Sequence, residues 1–315
     1  MVRVCGLSFV AVLALVVVAV GQSGPPAPPP NPPPNPQEVR IGFPDALFKD
    51  VPKPVINAAV GPFRKMIQKQ IGMAGSMKIC QDYAELAEDL KNGKIEIGVF
   101  HGFEFAWVKN DPAFIPVVIT SPCCGKVQAC LVVHANSKAK SPQQLKGACV
   151  GIPKGTKAHC TMFLKHLQEN TDISEGDCCP MPCKAAEGLT PHEVLGEVLC
   201  GKCEAALVDI AHLESYQRNW PGLGKQLKVL AESELLPPAV IVCRKGALTE
   251  AQVDKVREGL VNCHKTPSGR AFTMFWQLEG FKDVTPGYHQ LLDKSLKEYP
   301  APGAVQVRTP ATTQK

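Results

Sequence analysis

Apolar residues follow two alternating periodicities along residues 38–299. Short continuous apolar runs are typical of buried strands, and apolar residues three and four positions apart are typical of amphipathic helices. The runs predict strands at 39–43, 77–80, 95–100, 129–133, 148–152, 205–208, 228–231 and 239–243. The helical spacing predicts helices at 55–71, 83–91, 104–108, 156–169, 191–199, 211–218, 249–264, 268–278 and 286–297. This alternation predicts an α/β fold with largely parallel sheets, in which ligands bind at the carboxyl ends of the strands.

One loop of this pattern carries a distinctive set of polar residues. Lys154, Gly155, Thr156 and Lys157 follow the strand predicted at 148–152 and lead into a helix. The free N–H groups and the positive dipole end of a helix N-terminus attract anions, and the two lysines add charge. The alternative interpretation is an ordinary connection with solvated lysines, because most such loops bind nothing.

The two ends of the chain have a different composition from the body. Residues 1–21 combine an early basic residue, an apolar run and a small-x-small pattern, which predicts a cleaved secretory signal peptide and export from the cytoplasm. Residues 22–37 are rich in proline and predict an extended linker, and residues 300–315 predict a flexible tail. Because Cys5 precedes the apolar run, no lipid anchor is expected.

Charge and motifs exclude several function classes. The formal net charge of the 315 residues is only +5, without a basic run interleaved with aromatic residues, so nucleic acid is not an expected partner. His192-Glu193 begins a zinc-protease pattern, but Gly196 stands where the second histidine belongs. Nucleophile-elbow and phosphate-loop motifs are also missing from the sequence. The sequence therefore predicts a protein that is not an enzyme and carries no cofactor.

Cysteines are unusually frequent in the middle of the chain. Ten of the 14 lie between Cys123 and Cys203, and an exported chain favours disulfides or buried thiols there. The spacings of Cys179 with Cys183 and of Cys200 with Cys203 leave a zinc site as a weaker alternative. A redox role for Cys200 and Cys203 is disfavoured, because the pair follows a helix instead of preceding one.

Four segments, in this order, resemble the solute-binding proteins of phosphate/phosphonate ABC transporters. They are 82–100, where a helix ends in glycine before a strand; 145–156, with its leucine-lysine-glycine start; 201–209, which ends in an aspartate; and the closing segment from 235 to 281. The resemblance extends over residues 38–299.

This resemblance implies a periplasmic-binding fold with two lobes, each a mostly parallel sheet flanked by helices. Lobe 1 would comprise residues 38–127 and 234–299, and the cysteine-rich lobe 2 residues 128–233. The expected ligand is a small phosphorus oxyanion, held between the lobes and delivered to an ABC permease or a membrane sensor. The resemblance further implies a monomer in the periplasm or otherwise outside the cytoplasm.

The resemblance also implies candidate ligand-binding residues. The family's loop usually carries adjacent serine and threonine hydroxyls, whereas this chain has Thr156 flanked by Gly155 and Lys157, which favours a more anionic ligand. Asp209 matches an aspartate that meets an amino or hydroxyl group of the ligand, although it is equally well placed as a helix N-cap. Phe105 stands at the position of a family tyrosine, and Asp45 and His101 follow predicted strands.

Two alternatives remain from the sequence. One is a cysteine-rich metal-binding or redox protein on the same fold. The other is an exported structural protein that has lost ligand binding, which would agree with the altered loop.

Overall fold

The structure, a computed structural model, describes residues 38–48, 53–145, 147–170, 181–182 and 186–302. The predicted signal peptide, the linker, Cys179, Cys183 and most of the predicted tail lie outside these residues. In the described part no helix is both long enough and apolar enough to cross a bilayer.

The first of two sheets is six-stranded. Across the sheet its strands are β2 (Ala74–Cys80), β1 (Glu38–Pro44), β3 (Ile97–Phe100), β10 (Val240–Arg244), β4 (Phe114–Pro122) and β11 (Leu278–Asp283). The outer half β2-β1-β3 is parallel, and β10 lies antiparallel between β3 and β4. Strand β11 pairs antiparallel with β4 at the edge.

The second sheet is five-stranded in the described part. Its order is β7 (Met181–Pro182), β6 (Cys149–Gly151), β8 (Ala205–Asp209), β5 (Ala129–His134) and β9 (Leu227–Glu232). Strands β7, β6 and β8 are parallel, and β5 lies antiparallel between β8 and β9.

Helices cover both faces of each sheet. Around the first sheet, α1 (Lys53–Ile71), α8 (Glu250–Val261) and α9 (Pro267–Phe275) pack on one face, and α2 (Tyr83–Lys91), α3 (Gly102–Val108) and α10 (Pro286–Glu298) on the other. Around the second sheet, α5 (Pro191–Leu199) and α6 (Ile210–Asn219) pack on one face and α4 (Ala158–Asn170) on the other. A short helix, α7 (Pro221–Gly224), precedes β9.

This architecture confirms the predicted two-lobed α/β fold. The sheets are mixed in pairing, because β5 and β10, the first strands after the chain passes from one sheet to the other, insert antiparallel into the middle of the new sheet. The remaining strands run parallel to one another within each sheet, except the edge strand β11. The residues at which the lobes begin and end stay a prediction.

Two connections join the sheets, and they are hydrogen-bonded to each other. The Leu236 N–H donates to the Val127 carbonyl at 2.9 Å, and the two residues form an antiparallel bridge. Beside them, the Gln128 Nε2 donates to the Ser233 carbonyl at 2.8 Å. Both sheets belong to one compact unit of the chain. The paired connections therefore form a two-stranded hinge between the lobes.

Gly102, the first residue of α3, lies against the second of these connections. A Cβ atom at this position would stand 2.1 Å from the Pro237 carbonyl oxygen and 2.4 Å from that of Pro238. Only glycine permits so close an approach of two backbone segments. The helix α3 is thereby seated directly on the hinge.

We expect Gly102→Ala to lower the free energy of unfolding by about 1–3 kcal/mol, because the added methyl group forces two backbone segments apart. Gly196→Ala is the matched control, since a Cβ there meets nothing within 4 Å and lies inside α5. It should be neutral or stabilising. Urea denaturation measures both variants, and equal effects would contradict the close approach.

Candidate functional site

A cavity of about 580 Å³ opens between the two sheets. It lies at the edge where β1, β3, β4, β6 and β8 end and where the antiparallel β5 and β10 begin. In both sheets the cavity therefore lies at the carboxyl ends of the parallel strands, where the sequence predicts the ligand to bind. One wall comes from the second sheet and its helices, and the other comes from the first sheet.

The loop before α4 supplies the second-sheet wall. Gly155 adopts a left-handed backbone with φ of +69°, a conformation that residues with a side chain rarely adopt. The turn is closed by the buried Thr156, whose Oγ1 donates to the Pro153 carbonyl at 2.6 Å. Its hydroxyl proton is thus engaged within the loop. The exposed Lys154 and the half-buried Lys157 flank it at the cavity.

The carboxylate of Asp209 ties this loop to the neighbouring strand. Asp209 ends β8, is 5% exposed, and its Oδ1 accepts the Ala211 N–H at 2.7 Å as the N-cap of α6. Its Oδ2 lies 3.4 Å from Lys157 Nζ and 2.8 Å from His159 Nε2. The imidazole is poorly aligned for a hydrogen bond despite this short distance. One buried carboxylate therefore organises α4, α6 and the loop.

Burial and charge set the protonation states around Asp209. Burial alone would raise the pKa of Asp209, but His159, Lys157 and the Ala211 amide hold it well below its ordinary range. Burial lowers the pKa of His159 although Asp209 opposes this shift. Burial and the Lys157 charge lower the pKa of His212 to about 4. At neutral pH the carboxylate is charged and these two imidazoles are neutral, so lysines carry the positive charge of this wall.

On the first-sheet side, His101 lines the cavity directly after β3. Its Nδ1 lies 2.8 Å from Glu104 Oε2, and its ring stacks on Phe103 with centroids 5.6 Å apart. Near the hinge, Gln277 has a left-handed φ of 55°, and its carbonyl accepts the Cys123 N–H at 3.1 Å. A non-glycine residue in this conformation stores strain beside the cavity.

The structure brings six of the eight sequence candidates to one cavity. They are Lys154, Gly155, Thr156, Lys157, Asp209 and His101. Asp209 fulfils both interpretations, since it caps α6 and also lines the cavity.

The other two candidates, Asp45 and Phe105, lie outside the lining. Asp45 is exposed at the start of a short 3₁₀ helix, and its neighbours Ala46 and Leu47 face the cavity instead. Phe105 is 1% exposed in the core of the first lobe, packed on Phe100. Phe103 occupies the cleft instead, because two residues along a helix reverse the direction of the side chain.

Several cavity residues were not among the candidates. His159 and His212 each stand three residues after a candidate, Thr156 and Asp209, in the first turn of the following helix. That spacing brings them onto the same helix face and is a usable signal. Phe275 is the last residue of α9 and Trp276 follows it, and neither carries a sequence sign of facing a cleft.

The cysteines of the described residues are mostly free thiols. Of the ten cysteines in the described residues, nine are free thiols, among them Cys200 and Cys203. The tenth, Cys149, is not a free thiol. Burial raises the pKa of the Cys203 thiol, which disfavours reactivity. Six of the ten cysteines between Cys123 and Cys203 are therefore free thiols, in agreement with the thiol alternative for these six. Cys179 and Cys183, one of the two pairs considered for zinc, lie outside the described part.

A single cluster of metal-ligand type occurs in the described residues, at Cys80, Glu85 and Asp89. Asp89 already pairs with Lys78 and Lys94. Burial raises the pKa of the Cys80 thiol to about 12. The cluster is thus an ion-pair network with a protonated thiol, and it offers little to a metal ion.

Two lobes with a ligand cavity between their sheets define the class of periplasmic binding proteins. The sequence profile of the family described as "ABC transporter, phosphonate, periplasmic substrate-binding protein" matches residues 47–287, which is most of the chain. The chain belongs to this family of periplasmic substrate-binding components of ABC transporters, as the resemblance implied. No curated protein sequence matches it significantly.

Solved structures support the fold. XAC2383 from Xanthomonas citri, bound to ATP, superposes with a TM-score of 0.58 at 14% identity, covering 84% of this chain and 97% of that one. PhnD1 from Prochlorococcus marinus, in complex with methylphosphonate, gives 0.55 at 13% identity, covering 84% and 98%. The binding component of an ABC phosphonate transporter from Pseudomonas aeruginosa gives 0.50 at 15%, covering 83% and 87%. At these identities the likeness concerns the fold.

We expect the free energy of unfolding to fall as the pH drops from about 6.5 to 4. An unfolded histidine binds its proton near pH 6.5, whereas folded His212 does so only near 4, so protons favour the unfolded state in this window. His212→Gln should lose less stability between pH 7 and 4.5 in urea denaturation. His289→Gln, at an exposed position, should behave as the unmodified protein. Equal losses in all three would contradict this assignment.

We further expect Asp209→Asn to reduce the free energy of unfolding by about 1–3 kcal/mol at pH 7, because it leaves Lys157 and His159 without their carboxylate. Asp82→Asn is the control, since exposed Asp82 also caps a helix and asparagine caps equally well. Thermal or urea unfolding measures both, and a similarly small loss in each would reduce Asp209 to a simple cap.

Proposed function

We propose that the chain binds a small phosphorus oxyanion in this cleft and delivers it to an ABC permease. The observation that carries the proposal is the charge balance of the cavity. Three lysines line it, Lys126, Lys154 and Lys157, against the single lining carboxylate of Asp209, and Lys126 also pairs with Glu214 outside the lining. The lining therefore has an excess of positive charge, which favours an anion.

The geometry of the loop supports the same ligand. The first N–H groups of α4 have no partner within the helix and lie at the cavity wall formed by Thr156, Lys157 and Ala158. Since the Thr156 hydroxyl donates to Pro153, the donors for an oxyanion would be these amides and the lysine ammonium groups. Such a site favours a compact, highly charged oxyanion.

Membership of the phosphonate-binding family supports the phosphorus oxyanion and the permease as partner. The methylphosphonate bound by PhnD1 is a ligand of this class on a similar fold. A receptor of this kind needs only a higher affinity for ligand in its closed form than in its open form, so the cavity needs no nucleophile. A single chain encloses the whole cavity, which agrees with a monomer.

Titration calorimetry against phosphate, phosphite, methylphosphonate and 2-aminoethylphosphonate tests the proposal. At least one should bind, and Lys154→Gln combined with Lys157→Gln should weaken it by about tenfold or more, which is about 1.4 kcal/mol. Lys165→Gln is the control, because exposed Lys165 pairs with Glu169 on α4 away from the cavity. A flat titration for all four anions would refute the proposal and favour a derivative that has lost ligand binding.

A further inference from the structure

The two walls of the cleft differ sharply in character. The basic wall, comprising Lys154, Lys157 and the start of α4, belongs to the second lobe. The opposite side, from the first sheet and its helices, contributes no lysine, arginine or carboxylate to the described lining. The third lining lysine, Lys126, lies on the connection between the sheets and pairs with Glu214 of α6. A ligand anchored by its anion on the basic wall must therefore turn the rest of its structure towards an uncharged surface.

This uncharged surface is aromatic. Its apolar wall consists of Phe43, Phe63, Phe272, Phe275, Trp276 and Phe281.

The rings form a continuous array. Phe63 and Phe272 stack with centroids 5.7 Å apart, and Phe272 stacks on Phe281 at 6.1 Å. Phe275 meets Trp276 edge-on at 5.3 Å and is itself 48% exposed. The Nε1 of Trp276 is buried without a hydrogen-bond partner in the described residues. An array with an open edge of this kind favours a planar apolar group as its partner.

The size of the cavity points the same way. Pockets for ligands of drug size commonly measure roughly 300–1,000 Å³, and this one measures about 580 Å³. A methylphosphonate ion has the size of three or four water molecules, on the order of 100 Å³. Phe43, Phe63, Phe272 and Phe281 are at most 8% exposed because they pack on one another, so a minimal phosphonate would leave the cavity-facing edge of this wall, above all the 48% exposed Phe275, without ligand contacts.

The cavity also disfavours an amino-substituted ligand. A carboxylate is the strongest partner for a ligand ammonium group, and Asp209 supplies the only one in the described lining. Its oxygens already serve Lys157, His159 and the Ala211 amide. A ligand ammonium would have to displace Lys157 from this carboxylate.

We infer that the ligand is a phosphorus oxyanion carrying an aromatic or similarly large apolar substituent, with the anion on the basic wall and the substituent on the apolar wall. The inference rests on the proposed function for its anionic end. It adds the chemical class of the other end, which the apolar wall selects by burial of apolar surface.

Calorimetry with methylphosphonate, benzylphosphonate, 2-aminoethylphosphonate and benzyl alcohol tests the inference. Benzylphosphonate should bind about tenfold more tightly than methylphosphonate or better, and 2-aminoethylphosphonate should show no such gain. Equal affinities for benzylphosphonate and methylphosphonate would overturn the inference and leave the proposed function intact. If no phosphonate binds, the inference fails, and the titrations with phosphate and phosphite decide whether the proposed function fails with it. If benzyl alcohol binds as tightly as benzylphosphonate, the anionic end is wrong.

Phe275→Ser locates the substituent. Phe275 lines the cavity, whereas the adjacent Met274 is 78% exposed and does not. Phe275→Ser should reduce the ratio of benzylphosphonate to methylphosphonate affinity severalfold, and Met274→Ser should leave that ratio unchanged. Circular dichroism checks that both variants are folded. An unchanged ratio in folded Phe275→Ser would place the substituent elsewhere and overturn the assignment to the apolar wall.

Discussion

The buried carboxylate of Asp209 is the interaction on which the site depends. A charge this deep persists only where polar partners surround it: the Ala211 amide donates to this carboxylate, the Lys157 ammonium pairs with it, and the His159 imidazole lies 2.8 Å away. Because Ala211, Lys157 and His159 come from different elements, the carboxylate fixes the start of α4 against the end of β8. The loop that faces the cavity is thus held from within the protein before any ligand arrives.

The topology explains why the walls have different chemistry. Each wall is built by a separate sheet, and the chain passes between the sheets only at the hinge. The second lobe contributes a helix N-terminus and a lysine-bearing loop to the cavity. The first lobe contributes the edge of its hydrophobic core, where Phe63 of α1 and Phe272 of α9 line the cavity. The walls meet where Ala158, at the start of α4, packs against the cluster of Phe103, Leu236 and Tyr299. Elsewhere the charge of one wall and the apolar area of the other come from separate cores and can be adjusted separately.

The sequence predicts much of this fold because buried strands such as β8 are continuous apolar runs. The strands predicted above do not include β4, or β11, an edge strand that mixes charged residues with Gly280 and is half exposed. The sequence also extends α9 too far, since Gln277 ends the helix in a left-handed conformation that usually calls for glycine. In the site, the loop and Asp209 follow from local pattern. Phe275 and Trp276 reach the cavity only through tertiary packing, which no local periodicity records.

The hydrogen-bonded hinge has a mechanical consequence. Two separate single strands would let the lobes twist, slide and bend, whereas a ribbon joined at Val127 and Leu236 resists twisting and shear and leaves bending as its soft direction. Gly102 packs against this ribbon, and the Gln277 carbonyl accepts a hydrogen bond from Cys123, where the first connection begins. This hinge thereby restricts relative movement of the lobes mainly to bending. Little conformational entropy is then lost when a ligand fixes the position of one lobe relative to the other.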